Sequence, residues 1–151
     1  AQESRGLGDV YKEALRRSNE IDKAITQYES DIANHVQGKD ARTLFSELKE
    51  EYLGHYKVTI FPSAESDLHN IFIYILDKLV SPNTARKYNN LLQMILSLET
   101  YPTRGSLRKV GQYRNQGFRQ LFYKNYTIVY TVKDNKKEVH IIAVKYSHSN
   151  F

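Results

Sequence analysis

The apolar positions of this chain change period near residue 55. From Val10 onward they fall at Leu15, Ile21, Ala24, Ile25, Tyr28 and Ile32, a ragged spacing that predicts an amphipathic helix. "HVQGKD" interrupts it, with Gly38 as a stop signal, and Asp40 can cap a second helix through "ARTLFSELKEEYL". In that helix Leu44, Phe45, Leu48 and Tyr52 form one stripe, and Gly54 ends it. Two amphipathic helices on so short a segment lack a core of their own, so their apolar faces need another surface.

The remainder reads differently. "YKVTIF" alternates as a strand does and stops at Pro62. Leu68, Ile71, Phe72, Ile75, Leu76 and Leu79 then repeat at helical spacing. "SPN" breaks that helix, and Asn83 opens another that buries Ala85, Tyr88, Leu92, Ile95, Leu96 and Leu98. After "YPTRG", three short strands are predicted at about 108–114, 117–123 and 126–132, with a hairpin turn at "KDNKK". The last strand, "VHIIAVKY", is apolar on both faces and belongs in mid-sheet. The predicted class is α+β, in the order β-α-α-β-β-β-β. A helical hairpin packs on a mainly antiparallel sheet, with the N-terminal pair of helices wrapped on it.

Charge divides the chain at the same place. Residues 1–54 carry 8 Lys/Arg and 11 Asp/Glu, and residues 55–151 carry 14 and 6, within a net charge of +5. An acidic leader beside a basic domain suggests that the two pair with each other. There are no cysteines, so no disulfide or thiolate chemistry is available, and a reducing, cytoplasmic setting is permitted. No apolar run of about 18 residues exists to span a membrane, and the first residues lack the apolar stretch of a secretory signal.

The five histidines, at 35, 55, 69, 140 and 148, are scattered, so no metal site is expected. No phosphate-binding loop, dinucleotide fingerprint or serine elbow points to a cofactor or a nucleophile. Cations and tyrosines remain. Arg104, Arg108, Lys109, Arg114, Lys124 and Lys145 are interleaved with Tyr113, Tyr123, Tyr126, Tyr130 and Tyr146, a composition suited to binding nucleic acid. The plainer alternative is that these cations only solvate a sheet face. His148, two residues beyond Tyr146, could emerge on the same side of a continuing strand and is a candidate acid or base for metal-free RNA cleavage, the plainer alternative being a frayed C-terminal histidine. In that scheme the 2′-OH attacks the neighbouring phosphate, a base and an acid move the protons, and an Arg or Lys stabilises the phosphorane.

Residues 55–151 resemble the RelE/ParE superfamily of bacterial toxins from toxin–antitoxin modules. The resemblance is carried by "YKVTIFPSAESDLHNIFIYI", "SLETYPTRGSLRK" and "GFRQLFYKNYTIVYTVKDNKKEVHIIAVKY". It rests on many weak positions, such as the "G-x-R-x-L" at Gly117 to Leu121, and it implies site roles for Arg119 and Tyr146, which with His148 make up the candidate catalytic set. Thr127 stands where many members carry Arg, and Ser149 where Arg is often found.

Residues 1–54 resemble the neutralising C-terminal part of a cognate antitoxin. This implies that Leu44, Phe45, Leu48 and Tyr52 contact the toxin. RelE-like members cut mRNA on the ribosome, whereas ParE-like members poison DNA gyrase without cutting RNA. The basic, tyrosine-rich face favours mRNA on the ribosome as the target. Gyrase poisoning, or a non-toxic remnant that only binds antitoxin, is the alternative.

Overall fold

The computed structural model describes residues 2–45, 55–78 and 82–146. In chain order the elements are α1 (Gln2–Ala33), β1 (Lys39–Asp40), α2 (Ala41–Leu44), β2 (Lys57–Ile60), α3 (Pro62–Lys78), α4 (Pro82–Leu96), a 3₁₀ turn (Ser97–Glu99), β3 (Ser106–Leu107), β4 (Phe118–Tyr123), β5 (Tyr126–Lys133) and β6 (Glu138–Tyr146). The strands form one sheet in the order β1-β2-β6-β5-β4-β3, in which only the β2–β6 pair is parallel. The α+β class is as the sequence predicts.

β6 occupies the middle of the sheet and is apolar on both sides because both sides are covered. Val139, Ile141 and Val144 join a core with Leu68, Leu91, Ile95, Leu98, Ile128 and Tyr130, beneath α3 and α4. Ile142 and Ala143 join a second core with Phe61, Phe118 and Val129, beneath Ile21, Ala24, Ile25 and Tyr28 of α1. The β5–β6 register shifts between Val129 and Tyr130, which pair with Ala143 and Ile141. The extra residue, Ile142, lets two successive side chains face α1, as a β-bulge allows.

The leader therefore wraps the sheet. α1 crosses the face opposite the helical hairpin and ends in a Schellman turn. There the Val36 N–H donates to Asp31 O (2.8 Å) and His35 takes a φ of 59°. Gly38 then passes so close to β2 that a Cβ there would stand 2.8 Å from Phe61 Cδ1. β1 adds to the sheet edge, antiparallel to β2. Asp40 caps α2 by accepting from the Arg42 N–H (3.0 Å). Arg42 in turn reaches the buried Glu99 carboxylate at 2.7 Å.

One predicted strand has a different form. The chain over 108–114 is a looped connection, and β3 pairs only Ser106 and Leu107 with Gln120 and Arg119. Gly111 (φ 83°) and Asn115 (φ 59°) turn the backbone out of the ladder. Local polar–apolar alternation cannot reveal such turns.

At the α1–sheet contact, Tyr28 Oη lies 2.7 Å from His140 Nδ1, and His140 Nε2 lies 3.6 Å from Glu138. Burial pushes the Tyr28 hydroxyl up, so it stays protonated and donates. Burial pushes the His140 imidazole below its ordinary value. Glu138 opposes this shift, and Lys133 and Lys136 add to it. An unfolded histidine takes up its proton near pH 6.5. The neutral ring's contribution is therefore complete above about pH 6.5 and is lost as pH falls through the lower folded value, at up to about 1.4 kcal/mol per pH unit. Melting temperature should fall between pH 7.5 and 5 in the wild type and fall less in His140→Gln. Equal slopes would contradict this linkage.

Candidate functional site

Arg119 and Tyr130 are neighbours across β4 and β5. Arg119 Nη1 donates to the carbonyl of Gly105 at 2.7 Å and lies 3.4 Å from that of Thr103. The Gly105 N–H donates to Tyr130 Oη at 2.8 Å. A Cβ at Gly105 would stand 2.7 Å from Gln120 O and 2.9 Å from Tyr130 Oη. Together these contacts hold the incoming 103–105 backbone against the sheet. This is a structural use for an arginine and a tyrosine inside strands.

Tyr146 lies elsewhere. It pairs in register with Tyr126, which pairs with Tyr123, so the three tyrosines form one row. Arg119 is four residues from that row along β4, about 13 Å at 3.3 Å per residue. The structure thus does not bring Arg119 and Tyr146 together, and His148 lies outside the described residues.

The tyrosine row lines a crevice of about 390 Å³ with Tyr74, Asn70, Lys87, Lys124 and Asn125 among its walls. Among the described residues that line it there is no Asp or Glu. The Tyr126 and Tyr146 rings are 5.2 Å apart. Burial, then the neighbouring Tyr146 and Tyr74, pushes the Tyr126 hydroxyl up. Lys124, at the hairpin turn with φ 52°, holds its ammonium 5.8 Å from the Tyr123 ring.

The other expected cations are dispersed. Arg104 donates to Ser97 Oγ at 3.0 Å, and Lys109 and Arg114 are exposed. Lys145 pairs with Asp67 at 3.1 Å, and burial still raises the Asp67 carboxyl. Arg108, expected on a solvent-facing surface, is 2% exposed beneath α1, where it meets Ser18 and Asp22. Among the described residues, no three His, Asp or Glu side chains gather as a metal-binding group.

Of the expected leader contacts, Phe45 is buried and Leu44 is partly exposed. Both line an apolar groove with Leu68, Phe72, Tyr88 and Leu92. Leu48 and Tyr52 lie outside the described residues. The more extensive contact is made by Ile21, Ala24, Ile25 and Tyr28. Their helical spacing was visible in the sequence. The signal that assigns them to the sheet is the two-sided apolar pattern of β6.

Residues 58–151 match the family of ParE toxins of type II toxin–antitoxin systems, parDE, and the chain belongs to that family. Among solved structures, the chromosomal ParDE toxin–antitoxin system from P. aeruginosa aligns with a TM-score of 0.51 at 16% identity, over 62% of this chain and 98% of that one. The RelBE2 toxin–antitoxin complex from Mycobacterium tuberculosis aligns with a TM-score of 0.46 at 18% identity, over 63% of this chain and all of that one. No curated protein sequence matches. Among the described residues, no helix is long and apolar enough to cross a membrane.

Proposed function

We propose that residues 55–151 are a growth-inhibiting toxin that acts by binding DNA gyrase, and that residues 1–54 are an antitoxin-like leader that silences it within one chain. The observation that carries the binding mode is the commitment of Arg119. Its Nη1 donates to the Gly105 carbonyl, and it stands on β4 four residues from Tyr123, in whose row Tyr146 lies, which argues against a phosphate shared by the two. Thr127 and Ser149 also lack the cations a nuclease would use to stabilise a phosphorane. Support for silencing comes from the leader's cover of one sheet face and one edge, and from its acidic balance against a basic partner.

mRNA cleavage is the second reading, favoured by the tyrosine–lysine crevice, whose rings and ammonium groups suit a single strand. Inducible expression separates the two. Residues 55–151 alone should arrest growth and induce DNA damage with unchanged mRNA ends by primer extension. The full chain should be tolerated, and residues 1–54 supplied separately should rescue growth. New mRNA ends would establish the nuclease reading instead. Absence of any growth effect from residues 55–151 would mark a non-toxic pair.

A further inference from the structure

We propose that the loop from Arg108 to Gln112 is a phosphate-binding site of the toxin part, occupied in this chain by the carboxylate of Asp22. The inference rests on the reading above only in treating α1 as the element that can leave. The loop is built around an oxyanion. Asp22 Oδ2 accepts from the Gln112 N–H at 3.1 Å, and Asp22 Oδ1 lies 3.4 Å from Arg108 Nη2. The same Nη2 donates to Ser18 Oγ at 3.0 Å and lies 3.3 Å from Ser18 O.

Gly111 makes the approach possible. Its φ is 83°, and a Cβ there would stand 2.5 Å from Asp22 Oδ1 and 2.8 Å from Arg108 Nη2. A side chain at 111 would fill the space the anion uses. The cradle is anchored from behind: the Arg108 N–H donates to Phe118 O at 2.7 Å, and the Asn115 N–H donates to Arg108 O at 3.0 Å. Tyr113 fastens the same loop to α1 through Thr26, with the two hydroxyls 2.7 Å apart.

Asp22 uses this site incompletely. Arg108 Nε is buried without a hydrogen-bond partner, and the closest guanidinium–carboxylate contact is long. A buried guanidinium with an unmet donor favours a ligand with more acceptor oxygens, and phosphate presents them around a tetrahedron. A backbone N–H presented by a loop at positive φ supplies a fixed donor of the kind found in anion-binding concavities. Between Thr100 and Lys133 the chain has seven Lys/Arg and no Asp or Glu. The cradle's carboxylate is therefore brought by the leader, and Lys109 and Arg114 lie exposed beside it. When α1 leaves, the same donors face an open, cationic surface.

Two sources share this chemistry, free phosphate and the backbone of a nucleic acid. The test uses the full chain with the leader in place. Asp22→Ala removes the resident carboxylate and should lower the melting temperature by about 2–4 °C in a buffer of bulky, weakly binding anions. Sodium formate and inorganic phosphate should each restore about half or more of that loss, saturably, and should leave the wild type nearly unchanged. Asp22→Ala combined with Arg108→Gln should not respond. Anisotropy with a short fluorescein-labelled single strand identifies the source. A gain of about tenfold in Asp22→Ala at low salt, lost in the double variant, assigns a nucleic-acid backbone. A phosphate response without that gain assigns free phosphate. An equal anion response in wild type and Asp22→Ala, rescue by formate but not phosphate, or rescue that survives Arg108→Gln would overturn the site. Growth arrest by residues 55–151 is unaffected by any of these results, so failure here is distinct from failure of the silencing reading.

Discussion

Tyr28→Ala is expected to destabilise the protein by about 3–5 kcal/mol, the range for deleting a buried aromatic ring. Tyr28 is 1% exposed and sits at the centre of the α1 contact. Its ring meets Phe61 edge-on at 4.9 Å, Phe118 at 6.3 Å and His140 at 5.8 Å. Removing it opens a cavity beneath α1 and leaves His140 Nδ1 without its hydroxyl partner. Tyr28→Phe keeps the ring and loses only the hydrogen bond, so its cost should be about 1 kcal/mol. Urea unfolding followed by circular dichroism measures both. If Tyr28→Ala proved as mild as Tyr28→Phe, the helix would not be docked on the sheet as described.

Arg42→Ala should cost about 3 kcal/mol for a related reason on the opposite side of the leader. The Glu99 side chain is 4% exposed, and Arg42 approaches it with Nη2 at 2.7 Å and Nε at 3.1 Å from Oε1. Truncating Arg42 strands a buried carboxylate, and the loss comes chiefly from that uncompensated charge. Glu99→Gln in the Arg42→Ala background should therefore recover part of the stability, because an amide needs no cation. The single change should shift the urea midpoint by about 1–2 M, given the usual slope for a domain of this size. If the second substitution made the protein less stable still, buried charge would not be the cause.

Both substitutions weaken the attachment of the N-terminal elements α1, β1 and α2 to the rest of the fold. α1 contributes apolar area, with Ile21 and Ile25 each worth about 1.5–3 kcal/mol on burial. Arg42 contributes a specific anchor near the 3₁₀ turn, and β1 contributes ladder hydrogen bonds at an edge that would otherwise be open. Lys39 also pairs with Glu65 at 2.8 Å, but this pair is exposed and contributes little.

Much of this was legible in the chain itself. Helical spacing marked α1, α3 and α4, and the Asp40 cap marked the start of α2. The two-sided apolar run of 139–144 placed β6 in mid-sheet. These features depend on neighbours a few residues apart, which a linear pattern records. The change of charge balance near residue 54, from 8 Lys/Arg against 11 Asp/Glu before it to 14 against 6 after it, is likewise read directly from the chain.

Tertiary structure decided what those parts do to one another. The lone pair of residues that forms β1 has no pattern of its own and exists because β2 offers an edge. Arg119 and Arg108 looked alike in sequence, both cations near tyrosines. One became a clasp on the Gly105 carbonyl, and the other a buried donor to a leader carboxylate 86 residues away. A side chain's partners are set by which distant segments the packed sheet brings within about 3 Å, a distance on which local sequence carries no information.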